Sequence, residues 1–234
     1  MEQQLPRPAK IRGAYRSVAD ASRFYDGMIT CSTPMGKVVC RLVWAMGWRE
    51  NETYLCEALR GIPHDFSGSM LEVPVGTGVI TMPVYQELPN AEVQCLDYSA
   101  DMLSFAKRRA AEHGLKNVSF MQGDVGALPF ADDSFDLVLS LNGFHAFPDK
   151  ESAYCEVYRV LKPGGIFCGC FYIAGECART DWMIRRFYVP KGYFTPPFET
   201  LESLKARLMG SYVDGTISSV KSMACFCCHK PKSA

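Results

Sequence analysis

From Met70 to Tyr172 the chain alternates short apolar runs with segments of helical period, and no other feature restricts its fold as much. Strands are predicted at Met70–Val73, Glu92–Leu96, Val118–Gln122, Phe135–Leu141 and Gly165–Tyr172. Helices are predicted from Val79 (cut short or restarted by Pro83), over Ala100–His113 up to Gly114, and over Lys150–Val160. Short apolar strands separated by helices imply an α/β chain, a parallel sheet with helices on both faces. The tail departs from this pattern. Helix Leu201–Met209 leads into two strand-like runs, Thr216–Ser222 and Met223–His229, whose link is short enough only for an antiparallel pair. The expected architecture is five parallel strands plus a C-terminal hairpin. A nicotinamide-binding domain would more commonly continue with a second parallel half.

Ahead of the alternation the chain is polar and aromatic, with helical pieces expected around Ser17–Tyr25, Lys37–Trp48 and Tyr54–Arg60. Residues 1–60 are therefore read as a helical lid, and residues 61–234 as the main domain with an insertion at 174–200. The formal net charge is zero, so no overall field draws nucleic acid or an anionic membrane. No apolar run reaches the ~20 residues that span a bilayer, and the N-terminus lacks the apolar core of a signal peptide. A cytoplasmic protein is expected, as monomer or homodimer. Eleven cysteines in such a chain read as reduced, buried hydrophobes, with no metal required.

The stretch "SMLEVPVGTGVITMPV", Ser69 to Val84, reads as a buried strand, a glycine turn and a helix. Gly76 and Gly78, lacking Cβ atoms, let the backbone turn tightly and approach a ligand. Pro74 donates no N–H and cannot take positive φ, so the loop works only if that position is extended. Asp97 ends the second strand about 20 residues beyond the glycines, where an acid can accept from both hydroxyls of a ribose. Helix capping falls to Ser99 or Asp101 instead. Asp124 follows the third strand, placed to accept from an adenine amino group, with Tyr98, Met102 and Val125 as the apolar slot for the ring. Acids at three successive strand ends share the carboxyl edge of the sheet, where open α/β sheets bind ligands.

Together "LEVPVGTG", "LDYSADML", "GDVGALPFADDSFDLVLSLNGFHAFPD" and "EVYRVLKPGG" resemble the class I S-adenosylmethionine-dependent methyltransferases, in particular the ubiquinone/menaquinone-biosynthesis branch. The resemblance implies a Rossmann-like fold, a mostly parallel seven-stranded sheet with an antiparallel C-terminal strand. It departs at Pro74, where that family usually has glycine. It further implies that Glu72 lies near the methionine ammonium and that Val75, Gly76 and Gly78 line the methionine and ribose portion. Asp97 would hold the ribose diol, and Tyr98 and Met102 one adenine face. Asp124 and Val125 would meet the adenine edge, and Leu141 and Asn142 the methionine end. Arg159–Gly165 would carry no chemistry.

Methyl transfer from a sulfonium needs an aligned nucleophile and no metal. A base helps only for a hydroxyl, thiol or acidic carbon. The candidates are His145, just after the fourth strand, and Tyr25 (or Tyr15) of the lid; His64 and His113 read as structural. The insertion is rich in Trp, Tyr, Phe and Pro, which suits a planar or lipophilic small-molecule acceptor, with Arg185 and Arg186 available to an anionic substituent. A non-catalytic module that binds the cofactor or its demethylated product is the alternative. Cys168 and Cys170 share one strand face, as do Cys225 and Cys227, and the pairs are expected to be neighbours; packing is favoured over a thiolate metal site.

Overall fold

The computed structural model describes residues 22–232. Three helices come first: α1 (Ser22–Ile29), α2 (Pro34–Val43) and α3 (Trp48–Leu59). The alternating region follows as β1 (Ser69–Glu72), α4 (Thr81–Gln86), β2 (Glu92–Asp97), α5 (Ala100–Glu112), β3 (Val118–Gln122), β4 (Phe135–Leu141), α6 (Lys150–Val160) and β5 (Leu161–Tyr172). Next are α7 (Ala178–Met183), a π-helical stretch (Ile184–Tyr188), α8 (Leu201–Ser211), β6 (Val213–Val220) and β7 (Met223–His229). Tyr15 and Ser17 lie outside the described residues.

The seven strands form one sheet in the order β3-β2-β1-β4-β5-β7-β6. Strands β1 to β5 pair in parallel, and β7 is antiparallel to both β5 and β6. β1 is central, with β2 on one side and β4 on the other. The chain thus leaves β1 in one direction and returns on its far side, opening a crevice at the carboxyl end of the switch. One core cluster includes Met70, Met82, Tyr85, Leu137 and Tyr172; the other is built on Leu71, Val73, Val138, Phe144 and Phe167. Successive β1 residues fall in opposite clusters, the period-two alternation of a strand buried on both faces.

Local differences from expectation have local causes. α4 begins at Thr81 rather than Val79, which puts Pro83 in its first turn, where the missing N–H costs no hydrogen bond. α2 begins at Pro34, capped by Thr33, whose Oγ1 accepts from Gly36 N (3.0 Å). α3 begins at Trp48, with Glu50 accepting from Gly47 N (2.9 Å). It packs on the sheet itself, where Cys225 Sγ donates to the Tyr54 carbonyl (3.4 Å).

The cysteine array forms as expected: Cys168 pairs across the strands with Cys227, and Cys170 with Cys225. Burial pushes these thiols up, Cys225 to about 12, so they stay protonated and unreactive. Cys225 and Cys228 do stand at Cys-x-x-Cys spacing, but the strand puts them in opposite core clusters, so they cannot act as a pair. Among the described residues no cluster of three or more His, Cys, Asp or Glu side chains is arranged to hold a metal ion. No helix among them is long and apolar enough to cross a membrane.

Candidate active site

Beyond β1 the backbone keeps sheet-like contacts for three more residues. Val73 N donates to the Leu139 carbonyl (2.9 Å) and Val75 N to the Leu96 carbonyl (3.0 Å), so Pro74, between them, needs no donor. Its ring is accommodated by Gly143 after β4, where an added Cβ would overlap Pro74 and come within 2.6 Å of Phe147 Cζ. The loop then turns through Gly76 (φ 56°) and Gly78 (φ 68°), a region of backbone space that glycine enters without penalty. A Cβ on Gly78 would strike Met82, whereas none of the protein comes within 4 Å of the Cβ position at Gly76. That open space belongs to a cleft at the carboxyl end of β1, β2 and β4.

The cleft brings together Glu72, Val75, Gly76, Gly78, Asp97, Met102, Leu141 and Asn142 from the expected set. Tyr98, Asp124 and Val125 do not line it. Asp124 is exposed and accepts from Gly126 N (2.9 Å), Val125 is packed in the second core cluster, and Tyr98 is half-buried. Pro74, Thr77, Val79, Ile80 and Thr81 line it as well; all are contiguous with the glycine turn, so the motif itself could have announced them. Ile29 of α1 also lines it, with no signal in the sequence.

Asp97 is 3% exposed, and both of its oxygens accept backbone N–H groups, Oδ2 from Gly76 and Oδ1 from Ser99 (2.8 Å each). Burial nevertheless raises its carboxyl to about 6, opposed by those hydrogen bonds. Each carboxylate oxygen keeps a lone pair for another donor. Glu72 is buried deeper, with Tyr85 OH (2.8 Å) donating to Oε2, and burial raises it to about 8. Two acids held this far above their ordinary values are poised for a positively charged ligand, which would favour their ionised forms. S-Adenosylmethionine carries a sulfonium, an ammonium and a ribose diol. The buried acids and the unfilled Cβ position at Gly76 fit those groups.

The N-terminal region closes against this loop. Asp26 of α1 accepts from Thr77 Oγ1 (2.6 Å) and from Arg109 Nη2 (2.7 Å), while Arg109 Nη1 also donates to the Thr77 carbonyl. Tyr25 sits one residue earlier on α1.

His145 follows β4 and lies outside the cleft's lining, three residues beyond Asn142. It is 7% exposed, its Nδ1 accepts from Tyr172 N (3.2 Å), and its ring stacks on Phe194 with centroids 4.1 Å apart. Burial, with Lys150 nearby, lowers its pKa to about 3, so the ring is neutral. A neutral ring whose Nδ1 accepts must carry its proton on Nε2. Phe194 comes from the insertion, and Trp44, after α2, packs against both Tyr172 and Phe194 (6.1 Å each). The insertion is anchored where Tyr172 OH donates to Asp181 Oδ1 (2.7 Å). Arg185 and Arg186 are exposed. His64 is also exposed, and His113 closes α5 beside Gln86 Oε1 (3.1 Å).

Known proteins share both this sequence and this shape. Residues 65–180 match a family model described as a methyltransferase domain. Demethylmenaquinone methyltransferase of Thermus thermophilus is 43% identical over 96 residues, 41% of this chain and 43% of that protein. The chloroplastic 2-methyl-6-phytyl-1,4-hydroquinone methyltransferase 1 of Oryza sativa subsp. japonica is 33% identical over 118 residues, 50% of this chain and 34% of that protein. The chain therefore spans less than half the length of these curated relatives. A crystal structure from Thermotoga maritima, titled as an S-adenosylmethionine-dependent methyltransferase and possible histamine N-methyltransferase, superposes with a TM-score of 0.66 at 17% identity, covering 94% of this chain and 99% of that one. The domain match falls on the strands and turns that build the cleft, so residues 65–180 form a methyltransferase domain, and the shape, antiparallel tail included, is the class I S-adenosylmethionine-dependent methyltransferase fold.

Proposed function

We propose that this chain catalyses methyl transfer from S-adenosylmethionine to a small lipophilic acceptor of the quinone or hydroquinone type. The carrying observation is the single cleft in which buried Glu72 and Asp97 meet the Gly76–Gly78 turn. The acceptor class is supported by the names of the two relatives, one a demethylmenaquinone and the other a hydroquinone methyltransferase. It also suits the aromatic neighbourhood of Trp44, Tyr172 and Phe194.

When bound, the cofactor supplies a methyl group already activated on its sulfonium, so the chain's own residues have only to hold, align and exclude water. Positioning of that kind is worth about 7–11 kcal/mol of a barrier. Asp97 would receive the ribose hydroxyls while its contacts to Gly76 and Ser99 keep it in place. Glu72 would face the ammonium end, Met102 the base, and Leu141 and Asn142 the reacting end. Tyr98, Asp124 and Val125 would reach the adenine only from beyond the observed lining. Tyr25, carried on the helix that Asp26 ties to the loop, remains a candidate contact to the acceptor.

His145 would act on the acceptor through its Nε2–H, as a hydrogen-bond donor to an oxygen. Service as a base would require it to give up the Tyr172 N–H, because its one free lone pair is spent there. The test is titration calorimetry with S-adenosylmethionine, S-adenosylhomocysteine and NAD, followed by turnover of methyl-labelled cofactor against a panel of hydroquinones. Binding of the first two, silence with NAD, and label in a hydroquinone are expected. Tight binding with no turnover of any acceptor would favour the non-catalytic module, and absence of binding would end the reading.

A further inference from the structure

Six of the nine large apolar side chains exposed among the described residues lie on two adjoining segments, α2 through the first residue of α3, and α7 with the π-helical stretch. On α2, Met35, Val38 and Leu42 are 59%, 50% and 55% exposed. They recur at i, i+3 and i+7 and so form one stripe along the helix. The inward face is a different one, made of Gly36, Cys40 and Val43. On the second segment Trp182 and Phe187 meet edge to face at 5.6 Å while both remain exposed. Two hydrogen bonds join the segments: Thr180 Oγ1 donates to the Val43 carbonyl (2.7 Å) and Arg179 Nη2 to the Arg41 carbonyl (2.9 Å). Trp48, the first residue of α3, is the sixth.

Charge gathers at the same place. Residues 34–49 carry Lys37, Arg41 and Arg49 and no acid. Residues 178–193 carry Arg179, Arg185, Arg186 and Lys191 against Asp181 alone, and that carboxylate is held by Tyr172 OH (2.7 Å) and Gly175 N (2.9 Å). A chain of zero net charge thus concentrates cations where it also exposes Trp and aliphatic side chains. Helices that lie in the membrane interface have this make-up, with apolar groups at the acyl boundary and basic groups among anionic headgroups.

We propose that α2 and the α7 segment form a docking surface for an anionic lipid bilayer. Met35, Val38, Leu42 and Trp182 enter its interface, and the flanking Lys and Arg side chains meet the headgroups. A second copy of the chain is a poor occupant, because a two-fold contact would set these cations against their own copies. Trp44 links this surface to the aromatic cluster of Tyr172 and Phe194, so docking would bring that cluster toward the phase in which a lipophilic molecule dissolves.

Sedimentation of the full chain with vesicles of phosphatidylcholine alone, or mixed with phosphatidylglycerol, tests this without acceptor or turnover, and so independently of methyl transfer. Binding to the mixed vesicles is expected, weakened by salt and accompanied by a blue shift of tryptophan emission. Lys37→Glu with Arg41→Glu should weaken it at least about tenfold, and Val38→Ser with Leu42→Ser should remove the blue shift. Both double variants should keep the parent's thermal unfolding, since the altered side chains are exposed. Failure of the parent to bind mixed vesicles, or equal binding by parent and variants, overturns the proposal. So does a concentration-dependent dimer that vanishes in the Val38→Ser/Leu42→Ser variant, which would give the stripe to a second copy.

Discussion

Along the carboxyl edge of the sheet, the cleft at one end and the buried aromatic cluster at the other are assembled differently. Over β1 and β2, the floor comes from one strand–turn–helix–strand unit: Glu72, the glycine turn and Asp97 are close in sequence and joined through the backbone of Gly76. Over β4 and β5, the aromatic cluster beyond the cleft's lining is drawn from distant places, with Trp44 after α2, His145 after β4, Tyr172 at the end of β5 and Phe194 from the insertion. The first end relies on hydrogen bonds and buried acids, the second on ring packing. A local unit can serve one cofactor across many reactions, while a wall built from long-range pieces can be rebuilt for a new acceptor without disturbing it.

If the ends are separate, Phe194→Ala should be felt almost wholly at one of them. Loss of this buried ring should cost about 3–5 kcal/mol in thermal or denaturant unfolding. Yet calorimetry on the folded fraction should find affinity for S-adenosylhomocysteine nearly unchanged. An equal fall in affinity would merge the two ends into one unit.

Asp97→Ala should do the converse, weakening cofactor binding by about 1.5–3 kcal/mol through lost charge-assisted hydrogen bonds, with ring packing at His145 untouched in near-ultraviolet spectra. Gly76→Ala should cost about 1–2 kcal/mol in stability, because alanine is strained at positive φ; the Cβ would also enter the open cleft, so binding should weaken too.

The smallest effect is that of pH. Glu72 rises from 4.5 to about 8 and Asp97 from 3.8 to about 6, so the folded state holds protons that the unfolded chain has released. Both contributions to stability are present at low pH and are lost as pH rises through those folded values. A cationic ligand reverses this by favouring the carboxylates. Binding should therefore release protons and tighten from pH 6 to pH 8, by no more than about tenfold per unit for each proton released. Calorimetry in two buffers of different ionisation enthalpy reads the proton count. Affinity independent of pH would place the positive charge away from Glu72.

The sequence revealed what repeats at short range. The boundaries of β3, β4 and α6 come out as expected, because each is a clear periodic run bounded by turn residues or a cap such as Asp149. The pairing of Cys168 with Cys227 was likewise legible once β7 was set beside β5. The Asp26–Thr77–Arg109 contact was not, since it joins three segments through side chains whose types are common on any surface. Asp124 shows a related limit: an acid after a strand reads the same in sequence whether it faces a ligand or closes its own turn, and its Oδ1 accepts from Gly126 N. Net charge hid the basic α2 and α7 surface because a sum over the chain carries no positions.

Pro74 and Gly143 face each other across the gap between β1 and β4, and with proline at 74 there is no room for a side chain at 143. They behave as one locus written in two places. Glycine at 74 would relieve only part of the crowding at 143, because a Cβ there would still come within 2.6 Å of Phe147 Cζ, whereas enlarging 143 with proline in place jams the loop. The order in which these two positions change is thereby constrained, and sequences carrying proline at the first should carry glycine at the second.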